Sequence, residues 1–214
     1  MYCSKCGYEL KDDINFCPKC GAKVTSIVPS ASSNLKDTFN DPRDGKVYKT
    51  VKIGEQVWMA ENLNYEIPGF FAKSNSVCYY NDPNYCKRYG RLYNWMTATK
   101  ICPAGWHLPK REEWQTLVNF VGGENVAGKI LKSKSGWNKD YNGTDDFGFM
   151  ALPGGHSNSN GDFFFVGTNG YWWSASEMRL FGGAYYLGLC YDCDSSYLDD
   201  HNKNNLFNVR CLKD

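Results

Sequence analysis

GYWWSASE at residues 170–177, GAYYLGLCY at 183–191 and LFNVRCL at 206–212 are short aromatic-rich runs separated by turn-forming residues. Runs of this length and composition are read as β-strands rather than helices, because flat and branched side chains pack well on a pleated surface. FGFMALPGG (147–155) and GDFFFVG (161–167) extend the pattern upstream, so that from about Asp146 onward the chain is expected to form short strands in an irregular sheet. In the last run, Phe207, Val209 and Cys211 alternate, which points Cys211 inward. Further upstream, KVYKTVKIGEQVWMAENL (46–63) reads as a hairpin: Val51 and Ile53 share a face before Gly54-Glu55, and Val57 begins a second run. Between these regions the period changes. Arg91 to Thr99 spaces Leu92, Trp95, Met96 and Thr99 as a helix does, and Lys110 to Val121 repeats this with Trp114, Leu117, Val118 and Val121. Pro109 stands at the start of the second helix and Gly122-Gly123 ends it. From the residues alone, the reading is two amphipathic helices and short strands in an irregular sheet.

The beginning of the chain has a different chemistry. CSKC (Cys3 to Cys6) and CPKC (Cys17 to Cys20) are each followed by glycine, Gly7 and Gly21. A Cys-x2-Cys turn presents two sulfurs to one ion, and two such turns complete a tetrahedral zinc shell. Cys3, Cys6, Cys17 and Cys20 are therefore the expected ligands of a structural Zn2+, with no open position for catalysis. Paired disulfides or a thiol switch are the competing readings, and neither accounts for the repeated CxKCG pattern. So short a module buries too little apolar surface to fold without its metal. Residues 1–24 form this unit, and 25–40 read as a flexible linker, TSIVPSASSNLKDTFN without a period. Residues 41–214 are long enough for one packed domain.

A formal net charge of +1, with Lys and Arg scattered, gives no basic stripe, and no nucleic-acid partner is expected. Nothing in the sequence forms a membrane span. With Cys3 standing where a secretory signal would lie, the protein is expected in the cytoplasm, the cell surface or secretion by another route being the alternative. The other six cysteines pull the opposite way. Cys78 and Cys86 flank a polar loop, Cys190 and Cys193 flank Tyr191-Asp192, and Cys102 and Cys211 lie far apart. An even number suits a disulfide framework, whereas free buried thiols suit a reducing cytosol.

Six landmarks in order, DPRDGKVYKTVKIGEQVWMAENLNY, CYYNDPNYCKRYGRLYNW, CPAGWHLPKREEW, DFGFMALPGG, YWWSASE and FNVRCLKD, resemble the Fibrobacter succinogenes major paralogous domain over residues 40–214. Residues 1–24, with Tyr2, Phe16 and Pro18 fitting as well, resemble short zinc-ribbon modules. The first family is similar in turn to the C-type lectin-like fold and to formylglycine-generating enzymes, which implies an α+β fold with two helices, a small irregular antiparallel sheet and long loops. The resemblance implies Cys78 paired with Cys86 and Cys102 paired with Cys211. Its relatives are mostly exported or lipid-anchored, and here a zinc ribbon stands in place of an export signal.

No nucleophile and base are arranged as a catalytic motif. His107, within GWHLP, reads as a structural hydrogen-bonding residue, His156 lies on a polar loop, and His201 sits among Asp and Asn. Cys190 and Cys193 could imitate a redox pair or the cysteines of a formylglycine-generating-type oxidase, but no helix start follows to lower a thiol pKa. The segment from Ser176 to Asn208 has a stronger signal, being rich in Tyr, Asn, Asp and Ser, a composition that combines rigid aromatic area with adaptable polar groups. Tyr185, Tyr186, Tyr191, Asp192, Asp194 and Tyr197 are the expected ligand-binding residues, for a protein or glycan. In the wider lectin-like group this part faces ligand, and some members diversify it. Asp192, Asp194, Asp199 and Asp200 lack the spacing of a calcium loop and read as solvated charges. The expected function is a noncatalytic binding module, with the oxidase or a structural paralogue without ligand as alternatives.

Overall fold

The computed structural model describes residues 37–69, 75–178 and 182–214, together with Tyr8, Cys17, Lys19 and Cys20. Thirteen strands and four α-helices occur among these residues, and no described helix is long and apolar enough to cross a membrane. The first strands are β1 (Thr38–Asn40), β2 (Val47–Ile53) and β3 (Gln56–Met59). β2 and β3 form the expected hairpin, with Val51 opposite Trp58 and Ile53 opposite Gln56. Gly54 turns it at φ 62°, and the Phe120 ring would lie 3.0 Å from any Cβ placed there. The linker reading extends too far, since β1 pairs with β2 and Phe39 packs against Trp106 with ring centroids 5.2 Å apart. A single large apolar residue in three leaves no period to read.

The helices are α1 (Pro83–Tyr89), α2 (Trp95–Ile101), α3 (Arg111–Phe120) and α4 (Glu124–Leu131). α3 is the expected second helix. Trp114, Leu117, Val118 and Val121 are buried, Glu113 Oε2 accepts from the Lys110 amide at 2.7 Å, and Gly122 and Gly123 end it at positive φ. Pro109 stands just ahead of the cap rather than inside the helix. The expected first helix is corrected at its start: Leu92–Asn94 is strand β5, and α2 begins only at Trp95, where the Asn94 side chain accepts from the Thr97 amide at 3.0 Å. Both Leu92 and Tyr93 are buried, so the strand shows no alternation and joins the helical pattern by accident of spacing. The buried face of α2 is Trp95, Ala98 and Ile101, which leaves Met96 exposed.

The remaining strands are β4 (Ser76–Val77), β6 (Trp106–His107), β7 (Gly154–Ser157), β8 (Phe163–Val166), β9 (Asn169–Met178), β10 (Gly183–Cys190), β11 (Ser196–Asn202), β12 (Leu206–Asn208) and β13 (Leu212–Lys213). Instead of one small antiparallel sheet there are two. A five-stranded sheet has the order β1-β2-β3-β13-β6. The eight-stranded sheet runs β11-β10-β9-β12-β5-β4, with β7 paired to β12 and β8. The β12–β9 pair is parallel, through Asn208 and Trp172, so the α+β expectation holds with a mixed sheet in place of an antiparallel one. The physical reason is the last run: LFNVRCL divides between the sheets, and Val209, Arg210 and Cys211 cross from one to the other with no exposed side.

Two cores result. One joins α3 and α4 to Trp58, Phe149, Trp172, Leu187 and Leu189. The other gathers Tyr93, Trp95, Trp173, Tyr186, Phe207, Val209 and Cys211. Successive residues of β9 and β10 alternate between them, as strands buried on both faces must. Arg210 ties the layers together from inside. Its guanidinium donates to Asn62 Oδ1 (2.8 and 3.1 Å), to the carbonyls of Met59 (3.2 Å) and Met150 (3.4 Å), and to that of Phe149. Trp172 Nε1 donates to the same Asn62 oxygen at 2.7 Å. Desolvation pulls the Arg210 pKa down to about 9, against weaker attraction from Glu61 and Asp145. Among the described residues the cysteines pair as Cys78–Cys86, Cys102–Cys211 and Cys190–Cys193.

Candidate functional site

β9, β10 and β11 lie side by side, and their two faces have different neighbours. Trp172, Leu187, Leu189 and Leu198 point to the core that α3 and α4 cover. The other face carries Tyr171, Tyr186, Tyr197, Asp199 and His201, a set fixed by register: Gly188 is opposite both Tyr171 and Tyr197, Tyr186 is opposite Asp199, and Ala184 is opposite His201. Gly188 is required for this arrangement, because a Cβ there would come within 2.3 Å of the Tyr197 ring. The Tyr197 ring meets that of Tyr186 edge-on, with centroids 6.0 Å apart. Burial raises the pKa of all three tyrosines above the usual phenol value, and their mutual proximity adds to the rise for Tyr171 and Tyr186. They are neutral hydroxyl donors and acceptors at physiological pH.

The β7–β8 hairpin supplies the rim. His156 stacks on Phe164 with centroids 5.3 Å apart, meets Tyr171 edge-on at 5.1 Å, and lies 6.3 Å from His201. Burial, and then the neighbouring His201, pull the His156 pKa down to about 4. Its Nδ1 is buried without a hydrogen-bond partner among the described residues. Phe164 and Phe165 are 39% and 54% exposed, and Phe165 is held at φ 65°, a left-handed conformation uncommon for a non-glycine residue. The result is a floor of tyrosine rings with Phe164, Phe165, Asp199 and His201 standing around it.

Of the six residues expected to bind ligand, only Tyr186 and Tyr197 meet here, and Tyr186 is 6% exposed, a floor residue rather than a contact at the surface. Tyr185, its neighbour in the strand, faces the opposite way, with the Arg111 guanidinium 4.7 Å from its ring. Tyr191 packs edge-on against Tyr141 at 5.4 Å, and Asp192 and Asp194 are exposed in the turn after β10. The single surface expected from Ser176 to Asn208 is therefore corrected to two faces, because adjacent strand residues project oppositely. Composition does not register that alternation. Asn169, Tyr171, His156, Phe164, Phe165, Asp199 and His201 are the members absent from that expected set. Their signal was present as the GDFFFVG run and the two histidines, but nothing local brought these together.

The other expectations fall elsewhere. His107 bridges Asp214 Oδ1 (2.7 Å) and Glu113 Oε1 (3.0 Å), the hydrogen-bonding role expected of it. The Cys190–Cys193 turn sits on Lys132, whose buried ammonium donates to the carbonyls of Cys190 (3.2 Å), Tyr191 (3.0 Å) and Cys193 (3.0 Å). Asp199 and Asp200 project to opposite faces, and among the described residues no group of three or more His, Cys, Asp or Glu gathers as a metal site. For zinc, Cys3 and Cys6 lie outside the described residues. Cys17 is buried and Cys20, half-buried, follows Lys19 in a turn, and a thiol pair at this spacing fits a zinc donor set.

A family model described as the Fibrobacter succinogenes major domain matches residues 51–213. The chain belongs to that family. A zinc-ribbon domain model matches residues 2–24 ahead of it. No curated protein and no solved structure matches the chain. In this Fibrobacter succinogenes major domain the match opens at Val51, within β2, so β1 and the first half of β2 extend the folded unit beyond it. The tyrosine face, its aromatic rim and all three disulfides fall inside the matched residues.

Proposed function

We propose that this chain is a noncatalytic binding module of C-type lectin-like architecture that recognises a protein or glycan through the tyrosine face. The observation that carries the reading is the arrangement of Tyr171, Tyr186 and Tyr197 under an exposed rim of Phe164, Phe165, Asp199 and His201. α3 and α4 close the opposite face of the same strands, so the platform is rigid and aromatic rings reach a ligand with little ordering entropy. The lectin-like reading is supported by the mixed sheet with its packed helices and by the long irregular passage from Lys132 to Pro153. Cys190 and Cys193 act as a clasp on the turn that Lys132 organises. The ribbon holds one structural zinc through Cys3, Cys6, Cys17 and Cys20, and serves as a docking or stabilising piece. Of the two compartments, the three disulfides support the cell surface or secretion, where such bonds persist.

The test is a glycan array and a pull-down with labelled full-length protein, repeated with a Phe165→Ser, Tyr197→Ser double variant and with Tyr185→Ala. Capture lost in the double variant and kept in Tyr185→Ala is the expected result. Capture that survives the double variant removes the tyrosine face as the binding surface. Elemental analysis of protein purified without chelator is expected to give one zinc per chain, reduced by Cys6→Ser; a lower content in the wild type rules out the zinc shell.

A further inference from the structure

The turn that follows β10, from Cys190 to Ser195, is held from below by α4 and by Lys132, the residue that ends it. Lys132 Nζ donates to the carbonyls of Cys190 (3.2 Å), Tyr191 (3.0 Å) and Cys193 (3.0 Å), and the Trp137 ring centroid lies 5.2 Å from the same atom. The Lys129 amide donates to the Asp194 carbonyl at 2.9 Å. Packing is close enough that a Cβ on Gly128 would come within 2.3 Å of the Ser195 carbonyl oxygen. These hydrogen bonds set the path of the turn without help from the Cys190–Cys193 bond.

That bond differs from the other two. It spans a separation of 3 in the chain, against 8 for Cys78–Cys86 and 109 for Cys102–Cys211, and a disulfide that closes the shortest loop constrains the unfolded chain least. Cys78, Cys86 and Cys211 are buried, whereas Cys190 and Cys193 are both half-buried, so a nucleophile from solvent has access to this pair. Cys193 Sγ lies 3.6 Å from the Ser195 carbonyl oxygen and 3.8 Å from that of Cys190, so an S–H on Cys193 has acceptors already in place. The Lys132 ammonium, bonded to the carbonyls of both cysteines, favours negative charge on a departing sulfur, with Asp192 and Asp194 as the opposing charges.

We propose that Cys190 and Cys193 form a reversible thiol–disulfide exchange site, which a dithiol opens and a disulfide recloses while the rest of the fold stays intact. One thiolate of the dithiol attacks Cys190 Sγ, the bond to Cys193 breaks, and its electron pair leaves on Cys193 Sγ, which takes a proton and donates it to the Ser195 carbonyl. The second thiolate of the dithiol then attacks the dithiol sulfur of the mixed disulfide and releases Cys190, which takes a second proton. The cysteines gain two electrons and two protons, and the dithiol leaves as a cyclic disulfide. Because Lys132 holds both residues by their carbonyls in either state, reclosure needs no search through chain conformations. The site rests on its own residues and does not depend on a ligand at the tyrosine face.

The test treats the full chain under native conditions with increasing dithiothreitol, blocks free thiols with iodoacetamide and maps the label by mass spectrometry, with an NMR spectrum recorded at each step. Glutathione disulfide is added to a parallel sample after the reductant is removed. Cys190 and Cys193 are expected to take label at a dithiothreitol concentration about tenfold below that needed for Cys78, Cys86, Cys102 and Cys211. Spectral change should stay within the turn, and glutathione disulfide should restore protection. Lys132→Met should slow reclosure about tenfold, since the two cysteines are then brought together by the chain alone. The proposal is overturned if Cys190 and Cys193 are labelled only together with the other pairs, if native dispersion is lost as they react, if protection does not return, or if Lys132→Met recloses at the wild-type rate. Should that variant not fold, the labelling order and the reclosure of the wild type decide.

Discussion

Arg210 is a cation with no contact to solvent, held by the oxygens of Asn62, Met59, Phe149 and Met150, and nothing in its sequence position announces this. An arginine between Val209 and Cys211 reads as the solvent side of an alternating strand. Its burial comes from the crossing between sheets, where neither side of the chain faces water. Arg210→Ala would leave several buried carbonyls and the Asn62 oxygen short of donors, and is expected to cost about 3–5 kcal/mol in a urea titration. His156 gives the fold a dependence on pH. In the native state it titrates at about 4, and when unfolded at the usual imidazole value of 6.5. Between those values the unfolded chain binds more protons, so stability rises with pH; it is fully present above 6.5 and is lost as pH falls toward 4. The thermal midpoint of the wild type should therefore fall more steeply over this interval than that of His156→Phe, whose ring suits the surrounding Phe164, Phe165, Tyr171 and Phe207. Equal slopes would remove His156 as the source.

Among the elements, α3 was legible because Trp114, Leu117, Val118 and Val121 form one stripe and the Gly122-Gly123 pair marks its end. Leu92–Asn94 was not, because a strand buried on both sides carries no alternating signature, and the Asn94 cap lies inside what the spacing joined. β10 and β11 show how one residue sets the geometry of a pair of strands. Gly188→Ala would place a methyl group within 2.3 Å of the Tyr197 ring and force it off the floor of the candidate site. The expected cost is about 1–3 kcal/mol, with altered NMR shifts for Tyr171 and Tyr186. A variant of unchanged stability and spectrum would show that Tyr197 moves freely.

Over the whole molecule, the Cys102–Cys211 bond joins positions 109 residues apart and fastens the end of α2 to the segment that crosses between the sheets. A loop of that length makes the bond worth about 2–5 kcal/mol, so the Cys102→Ala, Cys211→Ala double variant should unfold at clearly lower denaturant than the Cys190→Ala, Cys193→Ala pair, whose bond closes a loop of three. Similar midpoints would mean that the long bond contributes little. The sequence by itself determined the thiol pairs at Cys3, Cys6, Cys17 and Cys20, the hairpin at Gly54, the helix over α3 and the aromatic strands, since each depends on chemistry or periodicity within a few residues. Only the tertiary structure decided that Tyr185 and Tyr186 serve opposite faces, that His156 and Phe164 join Tyr197, and that Lys132 holds the Cys190–Cys193 turn. Alternation along a strand separates neighbouring residues, but where α3, α4 and the β7–β8 hairpin pack decides which side remains open.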